Sequence, residues 1–144
     1  MSDSISKVAR TLGYAGLIPF IALTIALFIV DADSAIFVKF AFQSYAAVIL
    51  TFIGGVHWGL IIKEETFPAY KLILIASILP SLLGWTSLLL PQQFALTLLL
   101  ASFLGLIFYE YKVLWASLFP VWYRQLRVIL TTVVCLLITI QLIF

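Results

Sequence analysis

Apolar residues fall in five long blocks along the chain, about 11–30, 37–62, 72–90, 94–110 and 125–144, separated by short polar interruptions. The interruptions read VDADSA, KEETFPAYK, PQQ and, at greater length, YKVLWASLFPVWYRQLR. A helix of roughly 20 predominantly apolar residues crosses ~30 Å of hydrocarbon, so each block is a candidate span. The pattern predicts an all-α, polytopic membrane protein: a five-helix transmembrane bundle forming a single integral membrane domain over residues 1–144. The second block is longer than a perpendicular crossing needs and the fourth is short, which predicts tilt and poorly marked ends there.

Composition strengthens that reading. The 144 residues are 65% hydrophobic and only 10% charged, with a mean hydropathy of +1.23, too little polar surface to clothe a water-soluble globule. Lys7 and Arg10 ahead of an apolar stretch imitate a secretory signal. The stretch is about twice the length of a signal core, however, and further spans follow, so the expectation is an uncleaved first helix. Cys135 is the only cysteine and has no internal disulfide partner.

Charge sets the orientation. Alternating sides block by block places Lys7, Arg10, Lys63, Lys71, Lys112, Arg124 and Arg127 on one face of the membrane and only Lys39 on the other. Basic residues favour the cytoplasmic side, so the amino terminus is expected to be cytoplasmic. Trp58, Tyr70, Tyr109, Tyr111, Trp115, Trp122 and Tyr123 map to the same side, where amphipathic rings favour the headgroup level.

Helices in lipid associate through close packing, which small residues permit. The segment GGVHWG supplies Gly54, Gly55 and Gly59 as candidate packing positions, and Ala47, Thr51, Gly55 and Gly59 recur every four residues as one expected stripe. Packing within the monomer is the favoured use of that stripe over homodimerisation. Pro19 and Pro80 lie at similar depth in the first and third spans, and each kink exposes the carbonyl four residues earlier, at Ala15 and Ala76. Waters or hydroxyls such as Ser77 are expected to satisfy those carbonyls; the functional alternative makes them ligands for an ion or a proton relay. TFIGGVHW and SFLGLIFY, starting at Thr51 and Ser102, hint at a tandem pair of two-helix units followed by a fifth helix.

One polar cluster carries candidate chemistry. His57, the only histidine, together with Glu110, Tyr123, Arg124 and Arg127, is expected at the cytoplasmic rim, with Trp58 and Trp122 alongside. A carboxylate that close to hydrocarbon needs a partner, and a forked guanidinium suits it, so Glu110 is predicted to pair with Arg124 or Arg127 and His57 to join by a hydrogen bond. Arg124 and Arg127 are also placed to hold a lipid phosphate. The competing reading makes each residue a separate interface anchor, which suits Arg127 and Lys112 best. One histidine and one cysteine far apart supply no zinc or haem ligand set, and no H-E-x-x-H, G-x-S-x-G or phosphate loop is present, so no metal, cofactor or enzymatic activity is expected.

GYAGLIPF (13–20), FIGGVHWG (52–59), ILPSLLGW (78–85) and FPVWYRQLR (119–127) together resemble the transmembrane protein 69-like family of small polytopic membrane proteins, a domain of unknown function. The likeness runs from the first helix into the fifth. It implies a five-helix membrane domain, in the inner (plasma) membrane for a bacterial member, with Glu110 standing where the family pattern carries an acidic residue, usually aspartate; it implies no reaction, cofactor or substrate. Two functions follow as expectations: a non-catalytic helix-packing accessory or assembly factor of a membrane complex, with membrane lipids and another integral membrane protein or itself as partners and no nucleic acid, or a small transporter or proton-conducting protein using the His/Glu/Arg cluster.

Overall fold

The computed structural model describes residues 3–62 and 69–144. Lys63, one of the basic residues of the orientation tally, lies outside them. Among the described residues, five helices are long and apolar enough to cross a membrane: Ser4–Leu27, Ala32–Ile62, Tyr70–Leu89, Gln92–Leu114 and Val121–Ile143. The fold is all-helical, as the block pattern predicts.

The first span is two helices, α1 (Asp3–Ala15) and α2 (Ile18–Leu27). It starts earlier than the apolar block because α1 is amphipathic: Ile5, Val8 and Leu12 share one side, while Lys7 and Arg10 occupy the rest. α3 (Ala32–Ile62) is the longest element. Its start precedes the apolar block because VDADSA is a cap rather than a loop. The Ser34 amide donates to Asp31 Oδ1 at 2.8 Å and the Ala35 amide to the Asp31 carbonyl at 2.9 Å, an N-terminal capping arrangement.

The third span is again divided, into α4 (Tyr70–Ala76) and α5 (Leu79–Leu89), followed by α6 (Gln92–Tyr109) and α7 (Val121–Ile143). Pro19 and Pro80 both sit in the first turn of the restarted helix, where a missing N–H costs no helical bond. The two prolines therefore produce breaks rather than smooth kinks. At the first break the Tyr45 hydroxyl donates to the Gly16 carbonyl at 3.0 Å. At the second, Ser77 Oγ donates to the Leu74 carbonyl at 2.7 Å. Hydroxyls thus serve both breaks, but at Gly16 and Leu74 rather than at the expected Ala15 and Ala76.

Around the bundle the order is α1–α2, α3, α4–α5, α6, α7, with α3 and α6 touching across the middle and α7 closing back on α1 and α2. Phe20, Phe42, Leu50, Leu96, Leu99, Phe103 and Ile138 fill the centre, while large side chains such as Phe37, Phe94 and Leu136 face outward, the inverse of a soluble protein and suited to lipid.

α3 approaches the third span closely, and glycine makes this possible. A Cβ on Gly84 would stand 2.9 Å from the Ala47 carbonyl oxygen, and one on Gly54 would stand 2.6 Å from that of Ser77. Gly55 and Gly59, expected in the same seam, have no atom within 4 Å of a would-be Cβ. The cause is geometric. A spacing of four residues advances about 40° beyond a full turn, so a stripe begun at Ala47 has rotated off α5 by Gly55 and faces outward by Gly59. Gly54, seven residues from Ala47, returns to within about 20° of it. Gly105, the counterpart of Gly54 in the SFLGLIFY phrase, also has open space above it, so the two hairpins share a broken-then-straight layout but not this contact.

Candidate functional site

Glu110 stands where α6 gives way to a π-helical turn, Glu110–Leu114. The Trp115 amide donates to the Glu110 carbonyl at 2.9 Å, a wide i to i+5 closure of the kind that often marks functional positions. Both Glu110 and Leu114 point inward from this turn. His57 reaches the same point from the last turns of α3, and Arg127 from the second turn of α7.

These three meet. His57 Nε2 lies 2.9 Å from Glu110 Oε1. Arg127 Nε donates to both carboxylate oxygens, at 3.1 Å and 3.0 Å. Because a guanidinium donates to both oxygens, Glu110 acts as a carboxylate acceptor and His57 Nε2 as a donor. The cluster is fully inside the protein: His57 is 1% exposed, Glu110 0% and Arg127 4%. The imidazole is walled by Tyr109 and Phe119, with ring centroids 6.1 Å and 5.9 Å away. Removing a carboxylate and a guanidinium from water costs several kcal/mol each, and their attraction plus the imidazole bond must offset it.

Arg127 is thus no interface anchor, contrary to the simpler expectation, because Glu110 draws it inward. Lys112 does stay outside, 5.7 Å from the Phe108 ring centroid and 5.3 Å from that of Tyr111. Nor does Arg124 pair with Glu110. Its Nε donates to the Phe119 carbonyl at 2.7 Å, fastening the loop that precedes α7. Tyr123 packs edge-on against Phe119 at 4.8 Å and Trp122 against Tyr123 at 5.7 Å, one layer away from the ionic cluster. Trp58 is exposed on the outer side of α3 and takes no part. The guanidinium also engages through Nε alone rather than through its fork. Among the described residues, Arg127 Nη2, His57 Nδ1, Tyr109 Oη and Thr131 Oγ1 are buried without a hydrogen-bond partner.

Tyr109, Phe119 and Thr131 escape a search for charges because they are ordinary membrane-helix residues; only the spacing of Thr131, one turn beyond Arg127, relates it to the cluster. Among the described residues, no group of three or more His, Cys, Asp or Glu side chains comes together to hold a metal ion.

Residues 5–143 match a family described as a protein of unknown function (DUF3429). The chain belongs to this family. All three members of the ionic cluster lie inside the DUF3429 region. Among curated proteins, the chain is similar to transmembrane protein 69 of Xenopus tropicalis, 37% identical over 130 residues, which are 88% of this chain and 50% of that protein. It is also similar to transmembrane protein 69 of Mus musculus, 30% identical over 131 residues, 88% of this chain and 52% of that protein. The chain spans about half the length of these curated relatives. No solved structure matches it.

Proposed function

We propose that this DUF3429 protein is a non-catalytic accessory or assembly factor that packs against another integral membrane component. We place it in a bacterial inner membrane with its amino terminus cytoplasmic; the distribution of Lys and Arg supports the orientation. The observation that carries the accessory role is how the acid and base are used. Both oxygens of Glu110 are occupied by neighbouring side chains, and no member of the cluster is more than 4% exposed. A carboxylate so engaged fastens α3, α6 and α7 together and is poorly placed to exchange protons with a substrate.

The outward face of α3 supplies a surface for a partner, since Gly55 and Gly59 leave open space beside Val48 and Phe52 and small residues let a second helix approach. Gentle extraction from native membranes followed by mass spectrometry tests this reading. A companion membrane protein should be retained by the wild type and lost from Gly55→Leu/Gly59→Leu, whose own fold those side chains do not disturb. Isolation of the chain alone from wild-type membranes counts against it.

A second reading, proton conduction, is favoured by one observation: His57 Nδ1 and Tyr109 Oη are buried and unpartnered among the described residues. Proton flux into proteoliposomes that falls in both His57→Ala and Glu110→Gln would select it over the accessory role.

A further inference from the structure

The loop between the π-helical turn and α7 does more than connect them. Together with Ser6 of α1, this loop and the first turn of α7 border an open recess of about 570 Å³. Phe119, Pro120 and Trp122 give it an apolar wall, and Ser6, Ser117 and Arg124 supply its polar side chains. The recess lies where the span Val121–Ile143 begins, the headgroup level at which an indole such as that of Trp122 settles.

Arg124 is fixed at this recess through Nε, which donates to the Phe119 carbonyl at 2.7 Å. That bond leaves the forked end of the guanidinium unused. Arg124 makes no other hydrogen bond among the described residues, and its Nη nitrogens are not among the buried unpartnered atoms, so both are open to a ligand from outside. Its charge is equally unanswered. The described residues form two ion pairs, both made by Glu110 and neither including Arg124, and no acidic side chain lines the recess among them. Lys7 and Arg10, both exposed, fall about 100° and 40° round α1 from Ser6, and they add to the positive potential at this rim.

From this geometry we infer a site for the phosphate group of an anionic phospholipid, gripped by the two Nη groups of Arg124. A guanidinium fork matches two phosphate oxygens at once, and a fork already anchored through Nε loses little freedom on binding. A singly negative headgroup neutralises the unpaired charge. A zwitterionic lipid would bring an ammonium for which the described recess residues supply no carboxylate. Phosphate from solution has no glycerol or acyl chains to lay against Phe119, Pro120 and Trp122, which marks the lipid as the source. Arg127, the other residue expected to hold a lipid phosphate, is withdrawn because Glu110 keeps it inside. The site stands whether or not the chain has a protein partner.

The test is native mass spectrometry of the full chain in detergent, titrated with dioleoylphosphatidylglycerol or with dioleoylphosphatidylcholine. One phosphatidylglycerol per chain should bind about tenfold more tightly than phosphatidylcholine, and an excess of inorganic phosphate should not displace it. Arg124→Gln should bring the two lipids to equal affinity. Ser117→Glu, which sets a carboxylate in the recess and spares the bond from Arg124 to Phe119, should do the same, and it decides the matter if Arg124→Gln does not fold. Lys112→Gln, which removes a charge from the same rim but outside the recess, should leave the preference unchanged. Equal affinity for the two lipids in the wild type, a preference that survives Arg124→Gln or Ser117→Glu, displacement by inorganic phosphate, or a loss in Lys112→Gln as large as in Arg124→Gln would each overturn the assignment.

Discussion

Arg127→Leu should be among the most damaging single substitutions in this protein. It leaves the Glu110 carboxylate, 0% exposed, with only His57 for company. Two unit charges 3 Å apart at an effective dielectric of 20 attract by roughly 5 kcal/mol, and breaking such a buried pair from one side typically costs about 3–5 kcal/mol. Glu110→Leu should cost a similar amount, because it strands the guanidinium instead. Removing both charges at once, in Glu110→Leu/Arg127→Met, strands neither. The residual loss is about 1–3 kcal/mol, from the imidazole donor left unsatisfied. Equilibrium unfolding in detergent micelles, titrated with SDS and followed by circular dichroism, gives all three values. The double variant should lie closer to wild type than either single variant does. Losses that add to within about 0.5 kcal/mol would refute the coupling and with it the ionic link between α6 and α7.

Other consequences are checked with simpler means. Gly54→Ala and Gly84→Ala force a Cβ against a carbonyl oxygen and should each lower stability by about 1–3 kcal/mol, while Gly55→Ala and Gly59→Ala, in the same unfolding assay, should stay within about 0.5 kcal/mol. Tyr45→Phe withdraws the donor from the Gly16 carbonyl, and a loss of about 0.6–2 kcal/mol is expected. The backbone amide of Ser34 holds the Asp31 carboxyl below its ordinary value, so the contribution of this cap is fully present above the ordinary carboxylate range and is lost as the pH falls through the lowered value. The protection of the Ser34 amide against hydrogen exchange, taken relative to the intrinsic exchange rate at each pH, should fall on acidification in the wild type and stay level in Asp31→Asn.

Much of the architecture is legible in the chain because lipid imposes a coarse, long-range constraint. Twenty apolar residues in a row have few options, and the block ending at residue 62 and the one beginning at about residue 72 identify their helices to within two residues. Element ends are less legible. VDADSA reads as a polar interruption until Asp31 is seen to cap α3, and the Ser4 to Arg10 segment joins the first helix only through its amphipathic spacing. The glycine seam shows a different failure. Residues four apart look aligned on paper, but the drift accumulated from Ala47 to Gly59 changes which neighbour they face, and Gly54 is the true partner of α5. At the site, the need of a carboxylate for a cation predicts a Glu110 pairing, yet spacing alone leaves Arg124 and Arg127 equivalent. What separates them is the loop before α7, where the Phe119 carbonyl takes the Arg124 donor and leaves Arg127 to turn inward. The π-helical turn after Tyr109 has no sequence signature that distinguishes it from continued α-helix.

The lone histidine makes the meeting of α3 and α6 directly measurable. Solid-state NMR of the protein in lipid bilayers, with ¹⁵N-labelled histidine and ¹³C-labelled glutamate, should show through-space transfer from His57 Nε2 to a glutamate side-chain carboxyl, reflecting the 2.9 Å contact with Glu110 Oε1. The signal should vanish in Glu110→Gln. Its absence from the wild type, or its survival in that variant, would contradict the buried three-helix cluster.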